Sequence, residues 1–258
     1  MCALFKFTKP RPPVTEDVQS SPPELKGAGL AAVSYDQRMD GDVHDYIRVS
    51  SSRVLFVMLD VAGRPGQNRA IVSAAQGTFR SCGTELLAND DVNEADAMIE
   101  VCVQMNRAIL KAAEHVCSCA AFAACYNETL GTVCYVNAGY TPGLLRDATG
   151  IIELRPTGLP LGLFSHSAAD ASIVALEPGA ALLLISRGLV EANRKGKDLG
   201  FAQVKEALMA TRSQTAREIC ASVLGQIQQF LATKAPENDV TVLALARSPA
   251  MKTFAAAT

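Results

Sequence analysis

The sequence predicts an α+β fold, a β-sandwich flanked by antiparallel helix pairs, and three observations predict it. Early strand patterning gives way to two long amphipathic segments. After Val116 the apolar period falls from about 3.6 to about 2. A late helix with its own capping signature is then followed by one last apolar strand. Strands, a helix pair, a run of strands, further helices and a closing strand place the sheets in the middle and the helices outside.

The elements follow in order. Leu30–Ser34 opens the pattern, and Arg53–Asp60 contains a Val-Leu-Phe-Val-Met-Leu run suited to a strand buried on both faces. A turn at Gly63-Arg64-Pro65-Gly66 leads to amphipathic segments over about 67–87 and 93–114. In the second, Met98, Cys102, Met105 and Ile109 share one face, with Asn93 as N-cap. Strands follow at 118–126 and 131–137, joined through Asn127-Glu128-Thr129-Leu130-Gly131, and then at 143–146, 151–154, 172–176 and 180–186. Thr215 and Glu218 form a capping box that opens a helix over 215–232, whose Ile219, Val223, Leu224, Ile227 and Leu231 face the core. Val240–Ala246 closes the pattern as a strand, and no internal repeat is visible.

Residues 1–27 carry Pro10, Pro12, Pro13, Pro22 and Pro23 among polar residues, too little apolar area to offset the entropy of ordering them. They read as a flexible tail or linker, with residues 28–247 as one domain and 248–258 as a C-terminal tail. An apolar content of 49% excludes general disorder. No apolar run approaches the roughly 20 residues of a membrane span, and the first residues lack a signal peptide's apolar stretch and cleavage site, so a cytoplasmic protein is expected. A net charge of −2 provides no broad basic field for nucleic acid or anionic lipid.

The eight cysteines contain no C-x-x-C pair and read as reduced, mostly buried thiols. The sharpest rival is zinc on His115, Cys117 and Cys119 with Cys125 or Cys134. Period-two spacing strings Cys117, Cys119 and Cys125 along one strand face, too extended for a tetrahedron. Asp36–Gly41 fails as a calcium loop, because Arg38 holds its third position and Ile47 its twelfth. The esterase elbow, the zinc-protease helix, the dinucleotide fingerprint and the Walker loop are all missing from the sequence.

What remains is a series of short polar segments in a fixed order. Gly41-Asp42-Val43-His44-Asp45-Tyr46 precedes the strand that ends in Leu59-Asp60-Val61-Ala62-Gly63. Later come Asn137-Ala138-Gly139-Tyr140-Thr141-Pro142-Gly143-Leu144-Leu145 and Thr157-Gly158-Leu159-Pro160-Leu161-Gly162. The last are Ser186-Arg187-Gly188-Leu189-Val190-Glu191-Ala192 and Asn238-Asp239-Val240-Thr241. This series resembles the bacterial PPM-type serine/threonine phosphatases of the SpoIIE-like branch. Those read G-G-D-Y-Y-D, G-D-V-S-G-H-G, N-A-G-H-N-P-P-L-L, T-G-x-P-L-G, T-D-G-V-x-E-A and D-D-I-T.

The resemblance implies metal-assisted hydrolysis of phosphoserine or phosphothreonine on a signalling protein, by Mn²⁺ or Mg²⁺ ions roughly 4 Å apart. It makes Asp60 and Asp42 the expected catalytic residues. Asp60 would bridge two metals, and Asp42 with the backbone carbonyl of Val61 would complete the second metal's ligands. The first metal's other aspartates fall on Arg187 and Asn238, so those ligand positions are degenerate. Asp42 and Asp60 supply two negative charges and Arg187 returns one positive, which leaves two dications unbalanced. At most one ion is expected, or none, with Asp40 or Asp45 as further carboxylates nearby. Arg187 then substitutes for a metal, or pairs with phosphate together with Arg64. The expected activity is a weakened phosphatase. The alternative is a pseudophosphatase that binds a phosphorylated or unphosphorylated regulatory protein.

Overall fold

The run Val54–Leu59 sets the architecture, because every one of its side chains is 0% exposed. Alternation sends Val54, Phe56 and Met58 into one core and Leu55, Val57 and Leu59 into another. A strand buried on both faces needs a layer on each side. The computed structural model describes residues 21–35, 41–62, 68–113, 117–166, 169–194, 196–231 and 239–250. Its elements are β1 (Ala28–Tyr35), β2 (Asp42–Arg48), β3 (Arg53–Val61), α1 (Arg69–Leu87), α2 (Glu94–Ala112), β4 (Cys119–Asn127), β5 (Thr132–Ala138), β6 (Gly143–Arg146), β7 (Ile151–Leu154), β8 (Ser172–Ala175), β9 (Ala181–Ile185), α3 (Arg187–Val190), β10 (Asn193–Arg194), β11 (Lys197–Asp198), α4 (Gly200–Ala210), α5 (Ala216–Leu231) and β12 (Val240–Arg247).

Two antiparallel sheets, ordered β2-β3-β4-β5-β8 and β1-β12-β9-β6-β7, face each other across one core. Helices α1 and α2 cover the outer face of the first sheet, and α4 and α5 cover the second. The α+β sandwich with outer helix pairs is therefore the fold. Its local determinants are those in the sequence. Asn93 accepts from the amides of Ala95 and Asp96 at 3.0 and 3.3 Å, and Met98, Cys102, Met105 and Ile109 are buried. Thr215 Oγ1 accepts from Glu218 N at 3.3 Å, while the Ile227 side chain lies outside the described residues. In the β4–β5 hairpin, Asn127 Oδ1 accepts from Thr129 N and Leu130 N, and Gly131 takes φ 67°. The left-handed φ at Gly131 strains any side chain there, and a Cβ would also displace the Arg247 guanidinium.

Three features differ from the sequence reading. The Asp42–Tyr46 segment does not merely precede a strand; it belongs to β2, an edge strand hydrogen-bonded along β3. Its polar residues broke the apolar pattern that marks a buried strand. Helices α3 and α4 had no position in the sequence, and neither helix has a side-chain cap hydrogen bond. Several boundaries move by one or two residues, the first helix starting at Arg69 among the described residues.

A buried ion pair pins the α1–α2 hairpin to the sheet. Arg53, 5% exposed at the start of β3, donates from Nε to Glu94 Oε1 at 2.6 Å and from Nη1 and Nη2 to the carbonyls of Asn89 and Asp90. Asn127 Nδ2 donates to the same Glu94 oxygen at 2.7 Å.

Cys82, Cys102, Cys117, Cys119, Cys125, Cys134 and Cys220 are free thiols. Burial pushes the thiols of Cys102, Cys134 and Cys220 up to about 12. Among the described residues no group of three or more His, Cys, Asp or Glu is arranged to hold a metal ion, which leaves the zinc reading without a site there. Its His115 lies outside the described residues.

Removing one partner of the Arg53–Glu94 pair strands a buried charge. Glu94→Ala is expected to lower unfolding free energy by about 3–5 kcal/mol in urea titration. The double replacement Arg53→Met with Glu94→Leu recovers only part of the loss, because Asn127 Nδ2 and the carbonyls of Asn89 and Asp90 also lose their partners. A single-variant loss under about 1 kcal/mol would show that water solvates Arg53.

Candidate active site

The register of β2 on β3 creates the site. Asp42 stands directly opposite Asp60, and Ala120 of β4 stands opposite Asp60 on its other side. Period two carries Phe56, Met58 and Asp60 to the face between the sheets, and Asp42, His44 and Tyr46 to the same face of β2. The paired carboxylates therefore open at one end of the sandwich. Burial raises the Asp60 pKa above the usual carboxylate value, and the charge of Arg187 opposes the rise.

The second sheet supplies the opposing wall. β9 and β12 pair through Ile185 and Val242, and beyond the last pair Ser186 N donates to Thr241 O at 2.9 Å. Thr241 N returns a bond to Ser186 Oγ at 2.9 Å. That bond occupies the hydroxyl that would otherwise cap α3, and it fixes where Arg187 begins. Arg187 Nε lies 3.5 Å from Asp60 Oδ2 and 3.8 Å from Glu191 Oε1. Asp239 belongs to the same corner, since a side chain on Gly41 would begin 3.7 Å from Asp239 Oδ2. Arg64, Asn238 and Asp40 lie outside the described residues.

The two remaining expectations meet local competition. The Val61 carbonyl accepts from the buried Asn68 Nδ2 at 3.0 Å, which leaves one lone pair for a further partner. Asp45 does not join Asp42. Three residues along a strand it points to the opposite face, where Arg80 grips it through Nε at 2.7 Å and Nη2 at 2.5 Å.

Sequence reasoning missed Tyr140. It is 2% exposed, and its hydroxyl is buried with no hydrogen-bond partner among the described residues. Burial, then the charges of Asp42 and Asp60, hold its phenol well above the ordinary tyrosine pKa. Asn137 positions it by accepting Tyr140 N on Oδ1 at 2.8 Å. Gly139, at φ 71°, makes the turn, and a Cβ there would meet Pro160 at 2.5 Å. The available signal was its place in Asn137-Ala138-Gly139-Tyr140, where the resembling motif has His.

His44 ties the sheets together beside the site. Its Nδ1 lies 3.4 Å from Ser34 Oγ of β1, which in turn accepts from Thr241 Oγ1 at 3.1 Å. Burial depresses the His44 pKa, and the Asp45 charge offsets this only in part.

Among the described residues no third His, Cys, Asp or Glu joins the Asp42–Asp60 pair in a metal-holding group. Asp42 and Asp60 supply two carboxylates in register, and the orphaned Tyr140 hydroxyl marks polar space beside them. From the other sheet the Arg187 guanidinium faces Asp60, with Asp239 in the same corner.

Comparison with known proteins bears on the family and the fold. The family model described as Stage II sporulation protein E (SpoIIE) matches residues 50–248. Among solved structures, the RsbU and RsbW domains of a Mycobacterium tuberculosis protein match at TM-score 0.72 and 23% identity, covering 87% of this chain and 62% of that one. The PP2C phosphatase domain with a regulatory fragment of SpoIIE from Bacillus subtilis matches at TM-score 0.70 and 13% identity, covering 86% and 62%. The SiaA-PP2C domain of Pseudomonas aeruginosa matches at TM-score 0.68 and 14% identity, covering 84% of each chain. This chain thus spans less than two thirds of the first two structures. A comparison with curated protein sequences found no match.

The buried imidazole predicts a pH response. An unfolded His titrates near 6.5, and folded His44 titrates lower, so in between only the unfolded chain takes up the proton. Its stabilising contribution is intact above about pH 6.5 and is lost as pH falls through the depressed folded value. Asp60, with its raised pKa, works in the opposite sense at lower pH. Thermal melts between pH 7 and 5.5 should fall more steeply for the unmodified protein than for His44→Gln. Parallel curves would show that His44 is solvated.

Proposed function

Because the chain belongs to the family of Stage II sporulation protein E, with residues 50–248 matching its model, we propose that it engages phosphoserine or phosphothreonine on a regulatory protein in the cytoplasm. In this reading hydrolysis is metal-assisted and far slower than a two-ion site would give. The observation that carries it is the ion pair between Arg187 and Asp60. Asp42, Asp60 and the Val61 carbonyl are the groups that would hold one Mn²⁺ or Mg²⁺, which when bound activates water for attack on phosphorus.

The ion pair alone does not bar a metal. Coulomb attraction at about 4 Å reaches about 4 kcal/mol at an effective dielectric of 20, but Arg187 is 62% exposed, and solvent reduces such a pair to about 1 kcal/mol or less. The larger effect is the missing acid. A fixed cation now stands where the resembling motif places a ligand, so a second dication meets repulsion rather than coordination.

The same exposure favours a second reading. The Arg187 guanidinium is open to a phosphate dianion and suits bidentate pairing, with Arg69 at the start of α1 and Arg64 as further cations. In that reading the chain is a pseudophosphatase that holds a phosphorylated partner without turning it over.

Calorimetry with Mn²⁺ should give no more than one bound ion, and hydrolysis of a phosphoserine peptide should be slow. Replacing Arg187→Asp together with Asn238→Asp should add a second ion and raise Mn²⁺-dependent hydrolysis. Two tightly held ions with fast turnover in the unmodified protein would overturn the first reading. Tight phosphopeptide binding with no turnover selects the second.

A further inference from the structure

The Tyr140 hydroxyl is a buried polar atom without a hydrogen bond among the described residues, and such an atom is destabilising, so its presence calls for an explanation. Its surroundings indicate one. Gly139 bridges Ala121, whose neighbour Ala120 stands opposite Asp60 in the β3–β4 register. The Tyr140 ring thus lies in the core between the sheets, one strand removed from the paired carboxylates. A tyrosine phenol is protonated at neutral pH, so the group is an O–H with one proton to donate.

We propose that Tyr140 is a positioning residue for the Asp42–Asp60 pair: its hydroxyl donates through one water to a carboxylate oxygen and orients the pair for a single divalent cation. The proposal rests on the one-ion reading above. A carboxylate that ligates a cation has outer lone pairs left over, and a hydrogen bond to one of them fixes its rotamer and its aim. Asn137 and the Gly139 turn hold the Tyr140 backbone in place, so the hydroxyl is presented by a rigid support.

The test is Tyr140→Phe, which keeps the ring and removes one oxygen. In metal-free protein the variant should be as stable as the parent or more so, because an orphaned polar atom has been deleted. Its Mn²⁺ affinity by calorimetry should nevertheless fall about 10–100-fold, the usual effect of losing a hydrogen bond behind a metal ligand. A merely structural role would move stability and affinity in the same direction.

A second readout is optical. The chain has no Trp and 5 Tyr, so its intrinsic emission is tyrosine fluorescence. Mn²⁺ binding beside Tyr140 should quench part of it, and the quenched component should be missing in Tyr140→Phe. Equal Mn²⁺ affinity in parent and variant would overturn the proposal, as would a parent that binds no Mn²⁺ at all. Two ions with fast turnover would overturn the one-ion reading instead, and the parent titration separates these cases.

Discussion

The alignment of β2 and β4 on β3 is the constraint on which the rest of the molecule depends. Side chains alternate along a strand, so sliding β2 by one residue would turn Asp42 toward α1 and bring Asp45 between the sheets. That slip is opposed on both faces. Asp45 is already bound by Arg80 on the helix side, while Tyr46 packs into the core between the sheets. At the far end of β3, Arg53 gathers Glu94, Asn127 and two carbonyls of the α1–α2 connection. The strand is thus fixed by charge at one end and carries charge at the other. The apolar stretch between them makes any other register expensive.

Much of this was legible in the sequence wherever one physical signal dominated. The β3 run, the α2 stripe with its Asn93 cap, the Thr215–Glu218 box and the Asn127–Gly131 hairpin each announce themselves locally. β2 did not, because Asp42, His44 and Asp45 interrupt the apolar pattern of an edge strand that is buried largely by its neighbours. Helix α4 was hidden because Leu199, at its N-cap, makes no side-chain cap, and its C-terminal end is secured from a distance. Arg146 of β6 donates there to the carbonyls of Leu208 and Thr211. Asp60, Asp42 and Arg187 were singled out through their motifs, which are short and contiguous, and Arg187 does meet Asp60. Tyr140 was not, because a tyrosine in a turn looks like packing until its hydroxyl is seen to be buried without a partner among the described residues.

The site divides its electrostatics between the sheets. One sheet contributes the acids on adjacent strands, and the other contributes a cation on a helix too short to bring a useful dipole. The Arg187 side chain reaches across from solvent, so its grip on Asp60 weakens as ionic strength rises. Burial of Asp60 is insensitive to salt. The balance between an acid that resists ionisation and a cation that promotes it therefore shifts with the medium, without movement of the backbone.

The placement of β12 bears on how the chain is made. It lies between β1 and β9 in its sheet, although almost the whole described chain separates it from β1. A ribosome that releases this polypeptide from its N-terminal side can deliver β2, β3, β4 and the α1–α2 hairpin early enough for them to assemble. The other sheet cannot close until residues 240–247 emerge from the exit tunnel. Until then β9, whose Ala181–Ile185 side chains are all buried in the finished fold, has an unpaired apolar edge. Pairings so distant in sequence form slowly. Half of the sandwich therefore waits for an interior strand, and during translation that exposed edge of β9 is where a chaperone would have the most to shield.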